Sequence, residues 1–328
     1  MYLLSARRAF CLVWVLGYLL FQAGLSHSAL KLPENPDVRV IVDISGSMKK
    51  NDPENLRRPA VRLISSLIPE GSQAGLWTFG QYVNMLVKHR PVDPAWKDEV
   101  LKASEKINSV ALFTNIGAAL EKATDDFSGG KTFPNTHIIL LSDGMVDISK
   151  NPEENIAERR RILSEVLPRI KAAGATVHTI ALSDNADKGL LETLALETGG
   201  MAVIANSAEE LSQVFLETLD QAVPAEEVPI KGNTFEIDST VEEFTALLFR
   251  APGAPATELL DPSGKSLTAA EHGDDVNWLS ESGFDLITVK RPFEGNWTLN
   301  ATPAPGSRVT VVSNLRMVMA KLPANFYA

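Results

Sequence analysis

The 328-residue chain reads as an α/β domain, with a mostly parallel sheet and helices on both faces, followed by an antiparallel β-sandwich. Three observations predict this. Short apolar runs alternate with helical periodicity as far as Val223, the pattern of successive βα units. The acidic stretch Pro224–Pro229 then interrupts the chain, and beyond it the helical period disappears. Finally, the first apolar run ends in Asp43-Ile44-Ser45-Gly46-Ser47, which sends a carboxylate and two hydroxyls at alternate positions into a glycine turn.

Strands are expected at about Val38–Asp43, Ala74–Phe79, Val83–Val87, His137–Ser142, Thr176–Leu182 and Ala202–Ala205. The second and third, joined through Gly80-Gln81, have the form of an antiparallel hairpin at a sheet edge. Ile116, Leu120, Ala123 and Phe127 recur at helical spacing behind Thr114. Glu153–Ala173 carries the stripe Leu163, Val166, Leu167 and Ile170, and Gly174 supplies its stop. A last helix over Glu209–Val223 presents Leu211, Val214, Phe215 and Leu219. The domain is bounded at 36–223, with 224–231 as a linker and 232–328 as the sandwich. In that second half, strands are expected at Asn233–Asp238, Glu243–Phe249, Glu258–Asp261, Phe284–Lys290, Trp297–Ala301 and Arg308–Val312, with a turn at Asp261-Pro262-Ser263-Gly264.

The oxygen donors of Asp43, Ser45 and Ser47 are hard ligands, suited to magnesium or manganese. Thr114 stands at a helix start, and Ser142-Asp143-Gly144 directly follows the apolar run Ile138–Leu141. Open α/β sheets bind ligands at the carboxyl ends of their strands, so all three segments can meet there.

With these residues in view, the chain resembles the von Willebrand factor A domains. Asp43-x-Ser45-x-Ser47, Thr114 and Asp143 match the five positions of that family's metal-ion-dependent adhesion site, within a likeness spanning Val38 to Val223. The resemblance implies a Rossmann-like fold in which Ser45, Ser47 and Thr114 touch the metal, while Asp43 and Asp143 act directly or through water. It implies Mg2+ or Mn2+ ahead of Ca2+, and a partner protein that supplies an Asp or Glu. Phe113 and Met48 are expected at the partner-binding rim. The second half resembles the sandwich that follows the A domain in calcium-activated chloride channel regulators, through Asp238-Ser239-Thr240-Val241, Asp261-Pro262-Ser263-Gly264 and Gly295-Asn296-Trp297. The chain is also similar to exported bacterial proteins carrying an A domain.

Rival readings are weaker. Asp43 and Asp143 could cap helices. Haloacid dehalogenase-like enzymes also end a first strand in aspartate, but they need a second one where this chain has Ser45. No nucleophile is paired with a base, and there is no G-x-S-x-G or phosphate loop, so no enzyme activity is expected. His137 and His178 fall in strands and read as packed residues. Asp147, Asp184 and Asp187 could form a second cation site, and Asp274-Asp275 could bind calcium, although capping and solvated turns explain both groups. The sequons at Asn296 and Asn300 fall in an expected strand.

A net charge of -10 argues against nucleic acid as a partner. Arg7 and Arg8 precede the apolar stretch Ala9–Leu25, followed by Ser26, Ser28 and Ala29; residues 1–29 therefore read as a signal peptide, or as an uncleaved membrane anchor. The single cysteine, Cys11, lies inside that segment, leaving no disulfide in the exported part. The expected function is divalent-cation-dependent protein binding, for adhesion or assembly, in the periplasm or cell envelope. The alternative is a scaffold subunit that binds through the sandwich and uses metal only structurally.

Overall fold

A computed structural model describes residues 36–127, 129–181, 186–205, 210, 226–251, 253–281, 283–300 and 303–313. The targeting segment, Asp184 and, apart from Glu210, the expected helix Glu209–Val223 lie outside the described residues. None of the described helices is long and apolar enough to cross a membrane.

The first sheet has six strands in the order β3-β2-β1-β4-β5-β6. These are β1 (Asp37–Asp43), β2 (Gln73–Phe79), β3 (Val83–Pro91), β4 (Thr136–Ser142), β5 (Thr176–Ala181) and β6 (Ala202–Ile204). All adjacent pairs are parallel except β2–β3, the expected hairpin. β3 continues to Pro91, with its register shifted on either side of Leu76. β1 shows why helices cover both faces. Val38, Val40 and Val42 point to one side and meet Ala60, Val61 and Ile64 of α2 (Arg57–Leu67) and Trp96 and Val100 of α3 (Pro94–Ser104). Ile41 points to the other side, among Ile116 and Leu120 of α4 (Ile116–Ala123), Ile162, Ile170 and Leu190. A single turn, α1 (Met48–Asn51), precedes α2.

The expected helix Glu153–Ala173 is divided. α5 (Pro152–Arg161) passes through a π-helical turn, Ile162–Val166, into α6 (Leu167–Ala173). Pro168 has no N–H and its ring crowds the preceding turn, which accounts for the wider winding there. Gly174 ends α6 in the left-handed region, at φ 79. The last described helix is α7 (Lys188–Leu196).

The second half is two antiparallel sheets, β11-β10-β14-β8 and β12-β13-β9-β15-β7. Their strands are β7 (Glu226–Val228), β8 (Thr234–Ile237), β9 (Val241–Phe249), β10 (Glu258–Leu260), β11 (Ser266–Thr268), β12 (Val276–Ser280), β13 (Phe284–Lys290), β14 (Gly295–Leu299) and β15 (Arg308–Ser313). Phe244 joins the layers, edge-on to Phe235 at 5.3 Å and to Trp297 at 5.0 Å. Three strands went unrecognised in the sequence. β11 and β12 are short and only weakly alternating. β7 lies in the stretch 224–231 expected as a linker, yet Glu226, Glu227 and Val228 pair with Val311, Thr310 and Val309. Its two glutamates are exposed, so it has the polar composition of a linker while its backbone completes a sheet.

The two halves share a small apolar core. Leu63 of α2 is buried with Leu247, Phe249, Phe284 and Leu286 of the sandwich. Arg62, also on α2, donates to Glu281 at 2.8 Å.

Candidate metal centre

Three loops meet at the C-terminal edge of the parallel sheet. The first leaves β1: Asp43 is buried and its Oδ1 accepts from the Ser45 N–H at 2.8 Å, closing the turn. The Ser45 and Ser47 hydroxyls lie 2.9 Å apart. The second loop runs from Ile107 to Asn115. Ala111 N–H donates to the Ile44 carbonyl at 3.0 Å, and Ala111 forms a parallel bridge with Ser45. The third follows β4: Ser142 Oγ donates to Asp43 Oδ2 at 2.6 Å and accepts from Gly144 N–H at 2.9 Å. Thr114 and Asp147 exchange backbone hydrogen bonds, tying the second loop to the third. Asp43, Ser45, Thr114 and Asp143 are all buried, while Ser47 is exposed at the mouth.

Close backbone approaches hold this geometry. A Cβ on Gly80 would stand 2.3 Å from Ala111 Cβ, so the hairpin turn can lie against the second loop only with glycine there. Gly144 has φ +77, and a Cβ on it would meet Leu191 Cδ1 at 2.8 Å.

The electrostatics leave the site short of positive charge. Burial, followed by the nearby Asp143 carboxylate, pushes Asp43 up to about 6, against the hydrogen bonds from Ser142 and Ser45. Asp143 Oδ2 accepts from Asn51 Nδ2 at 3.0 Å, but its Oδ1 is buried with no hydrogen-bond partner among the described residues. An orphaned buried carboxylate oxygen facing a second carboxylate is costly, and a bound cation would relieve both defects. The donors are two carboxylates and three hydroxyls, all oxygen, which suits a small hard cation. Among the described residues no group of three or more His, Cys, Asp or Glu could hold a metal, so this centre depends on its hydroxyls as well as its two carboxylates.

Several residues that build this corner escaped the sequence reading. Asn51 orients Asp143. Arg57 is fully buried and lies between the loops. One of its nitrogens donates to the Asp43 carbonyl, another to Ser109 Oγ at 2.7 Å, and Nε to Asp52 Oδ2 at 2.6 Å. Asp52 also accepts from the Leu56 and Arg57 N–H groups, and Asn55 Nδ2 reaches the Ile107 carbonyl at 2.7 Å. One signal was available: Arg57 lies at the register of Ala60, Val61 and Ile64, so it is a charge on the apolar face of a helix.

One expectation is corrected. Met48, expected at the rim, is fully buried in the core with Ile64 and Leu141; its single helical turn points it inward. Phe113 is half-buried and has φ 60, unusual for a bulky residue. Asp187 caps α7 through Leu190 N–H and is paired with Arg159, while Asp147 accepts from Asn155 Nδ2 at 3.3 Å. Asp275 is paired with Arg291. Asp187, Asp147 and Asp275 thus have the structural partners expected of caps and loops. His137 and His178 lie 3.2 Å apart, as packed strand residues.

The comparisons with known proteins agree with this architecture. The model of the von Willebrand factor type A domain matches residues 37–217. A UPF0353 protein of Mycolicibacterium vanbaalenii is 24% identical over 224 residues, covering 63% of this chain and 66% of its own length. Calcium-activated chloride channel regulator 1 of Equus caballus is 25% identical over 248 residues, covering 70% of this chain but only 25% of that protein. Among solved structures, a von Willebrand factor type A protein from Catenulispora acidiphila aligns with TM-score 0.48 at 15% identity, covering 85% of this chain and 64% of the other. The family is one of protein-interaction and adhesion modules. With its model matched across more than half of the residues, the chain belongs to the von Willebrand factor type A domain family.

Proposed function

We propose that this protein is a non-enzymatic, divalent-cation-dependent binding module of the cell envelope. Asp43, Ser45, Ser47, Thr114 and Asp143 would hold magnesium or manganese, leaving a position for the Asp or Glu of a partner protein. The observation that carries this reading is the buried, unpartnered Asp143 Oδ1 beside Asp43, at a convergence of hydroxyls. When bound, the cation supplies positive charge in a partly desolvated pocket, where a carboxylate contact is stronger than in bulk water. Neutral hydroxyl ligands would leave much of that charge available to the partner. The protein's own residues do the rest: Asn51 and Ser142 aim the carboxylates, and Arg57 fixes the spacing of the loops.

Envelope location is proposed from the N-terminal apolar stretch following Arg7 and Arg8. The sandwich, docked on α2 through Leu63 and Arg62, would act as a rigid pedestal for the site.

The test is calorimetric titration of magnesium and manganese into the protein and its Asp43→Ala variant. The expected result is saturable binding that the variant weakens at least about 100-fold, with its circular dichroism unchanged. Equal binding by both proteins would refute the site.

A further inference from the structure

The mouth of the centre is lined unevenly. Four exposed large apolar side chains, Tyr82, Val110, Leu112 and Met145, lie within two residues of its anchoring contacts. Val110 adjoins Ala111, which bridges Ser45, and Leu112 is two residues before Thr114. Met145 is two residues after Asp143. Tyr82 follows Gly80, whose carbonyl accepts from Asn115 N–H at 3.0 Å. Leu112 is 70% and Tyr82 73% exposed, whereas most apolar residues of this domain are buried. Single exposed apolar residues are ordinary, but several around one mouth mark an interaction surface. Phe113, at φ 60, is held in a strained conformation between exposed Leu112 and buried Thr114.

The side formed by the first loop differs. Lys49 and Lys50, two and three residues after Ser47, are exposed, in a chain of net charge -10. Exposed Asp147 belongs, with Met145, to the third loop, and its backbone bridges Thr114 of the second. The mouth is thus basic beside Ser47, and apolar with one acidic residue beside Thr114 and Asp143.

We infer that the partner presents a short protein segment in which the metal-binding Asp or Glu has bulky apolar residues on one side and acidic residues on the other. This rests on the metal-site reading above and specifies the partner. Apolar flanks would cover Leu112, Met145 and Tyr82, while acidic flanks would face Lys49 and Lys50 and be repelled by Asp147. Charge complementarity therefore sets the direction in which the segment lies across the centre. A bare carboxylate, or one flanked by small polar residues, would use the metal but neither wall.

The experiment uses fluorescent peptides with a central Asp, measured by polarisation against the protein in excess manganese. One peptide places two leucines before and two glutamates after the Asp, a second reverses that order, and controls carry serines throughout or Asn for Asp. The expected result is that one of the two ordered peptides binds at least about tenfold tighter than the serine-flanked peptide, consistent with burial of one or two large apolar side chains. Leu112→Ser with Met145→Ser should abolish that preference, and Lys49→Glu with Lys50→Glu should reduce it. Metal titration should be unchanged in both double variants. Equal binding of ordered and serine-flanked peptides, or no peptide binding, overturns this inference. So would self-association that buries the same residues, or binding to phosphatidylglycerol vesicles that competes with the peptide. Calorimetric metal binding judges the underlying site separately: intact metal binding without flank preference defeats only the partner assignment.

Discussion

β1 carries acidic residues at both ends, and the two ends resolve their charge in opposite ways. At its start, Asp37 accepts two hydrogen bonds from Arg39, at 2.7 and 3.1 Å, and one contact from His89 Nε2 at 2.7 Å. Arg39 is nearly fully buried, also binds Asp126 and the Ala123 carbonyl, and lies 4.8 Å from the Phe127 ring. Burial alone would raise Asp37, but His89 and Arg39 outweigh it and hold its carboxyl below the ordinary range. At the other end Asp43 is more deeply buried than Asp37 and faces Asp143, and among the described residues no guanidinium contacts either carboxylate. Arg57 is close, but it contacts the Asp43 carbonyl and pairs with Asp52. The start of the strand is neutralised from within the chain. Its end is not neutralised by any described residue.

That contrast can be broken at either end. The largest effect is expected at the start. Arg39→Met would leave half-buried Asp37 with His89 as its remaining ring partner and Asp126 without its guanidinium, and urea denaturation should show a loss of about 3 kcal/mol. A loss below about 1 kcal/mol would mean that the cluster is not the structural anchor of the sheet.

The same end predicts a pH dependence. His178 Nδ1 accepts from Met201 N–H, so Nε2 carries the proton donated to His137 Nδ1. Burial, then the neighbouring His137, pushes His178 down from 6.5 to about 4. Between those values the unfolded chain takes up a proton that the folded protein refuses. The contribution of His178 is therefore complete above pH 6.5 and is lost as pH falls towards 4, by up to about 3 kcal/mol. Asp43, raised to about 6, acts with the opposite sign in an overlapping window. The quantity to measure is thus the stability difference between the protein and His178→Phe across pH 4–7. A difference that does not change with pH would remove the histidine pair from the account.

The smallest expected change sharpens the other side of the comparison. Asp143→Asn should weaken metal binding by about 10–100-fold while raising the metal-free thermal midpoint, because it removes like-charge repulsion beside Asp43. The arginine cluster and the candidate metal centre are thereby separated by sign: removing charge is expected to destabilise the first and stabilise the second. A lower metal-free midpoint for Asp143→Asn would erase that distinction.

Much of the candidate centre was legible because its signals are local. Asp43, Ser45 and Ser47 sit within one turn, and Asp143 ends another apolar strand, so strand burial and a glycine turn suffice to place them. Thr114 was legible from the helical period that follows it. Arg57, Asp52 and Asn51 were not, because their work is done through contacts such as Asn51 with Asp143, 92 positions apart. Met48 misled because proximity to Ser47 says nothing about which way a single helical turn faces.

By itself, the sequence determined the order of strands and helices in the first domain, the change to an antiparallel sandwich, and the oxygen-donor residues at the ends of β1 and β4. These follow from periodicities of two and 3.6 residues and from turn chemistry, which act over a few positions. Tertiary structure decided the rest. It turned the polar stretch Glu226–Val228 into a sheet edge, since any backbone can pair when a partner strand lies alongside. It joined the two halves through Leu63 and Arg62, and it exposed Tyr82, Val110, Leu112 and Met145 near the candidate centre while burying Met48. It also left Asp143 Oδ1 unpartnered among the described residues, because the balance of charge around a buried group depends on every element packed against it.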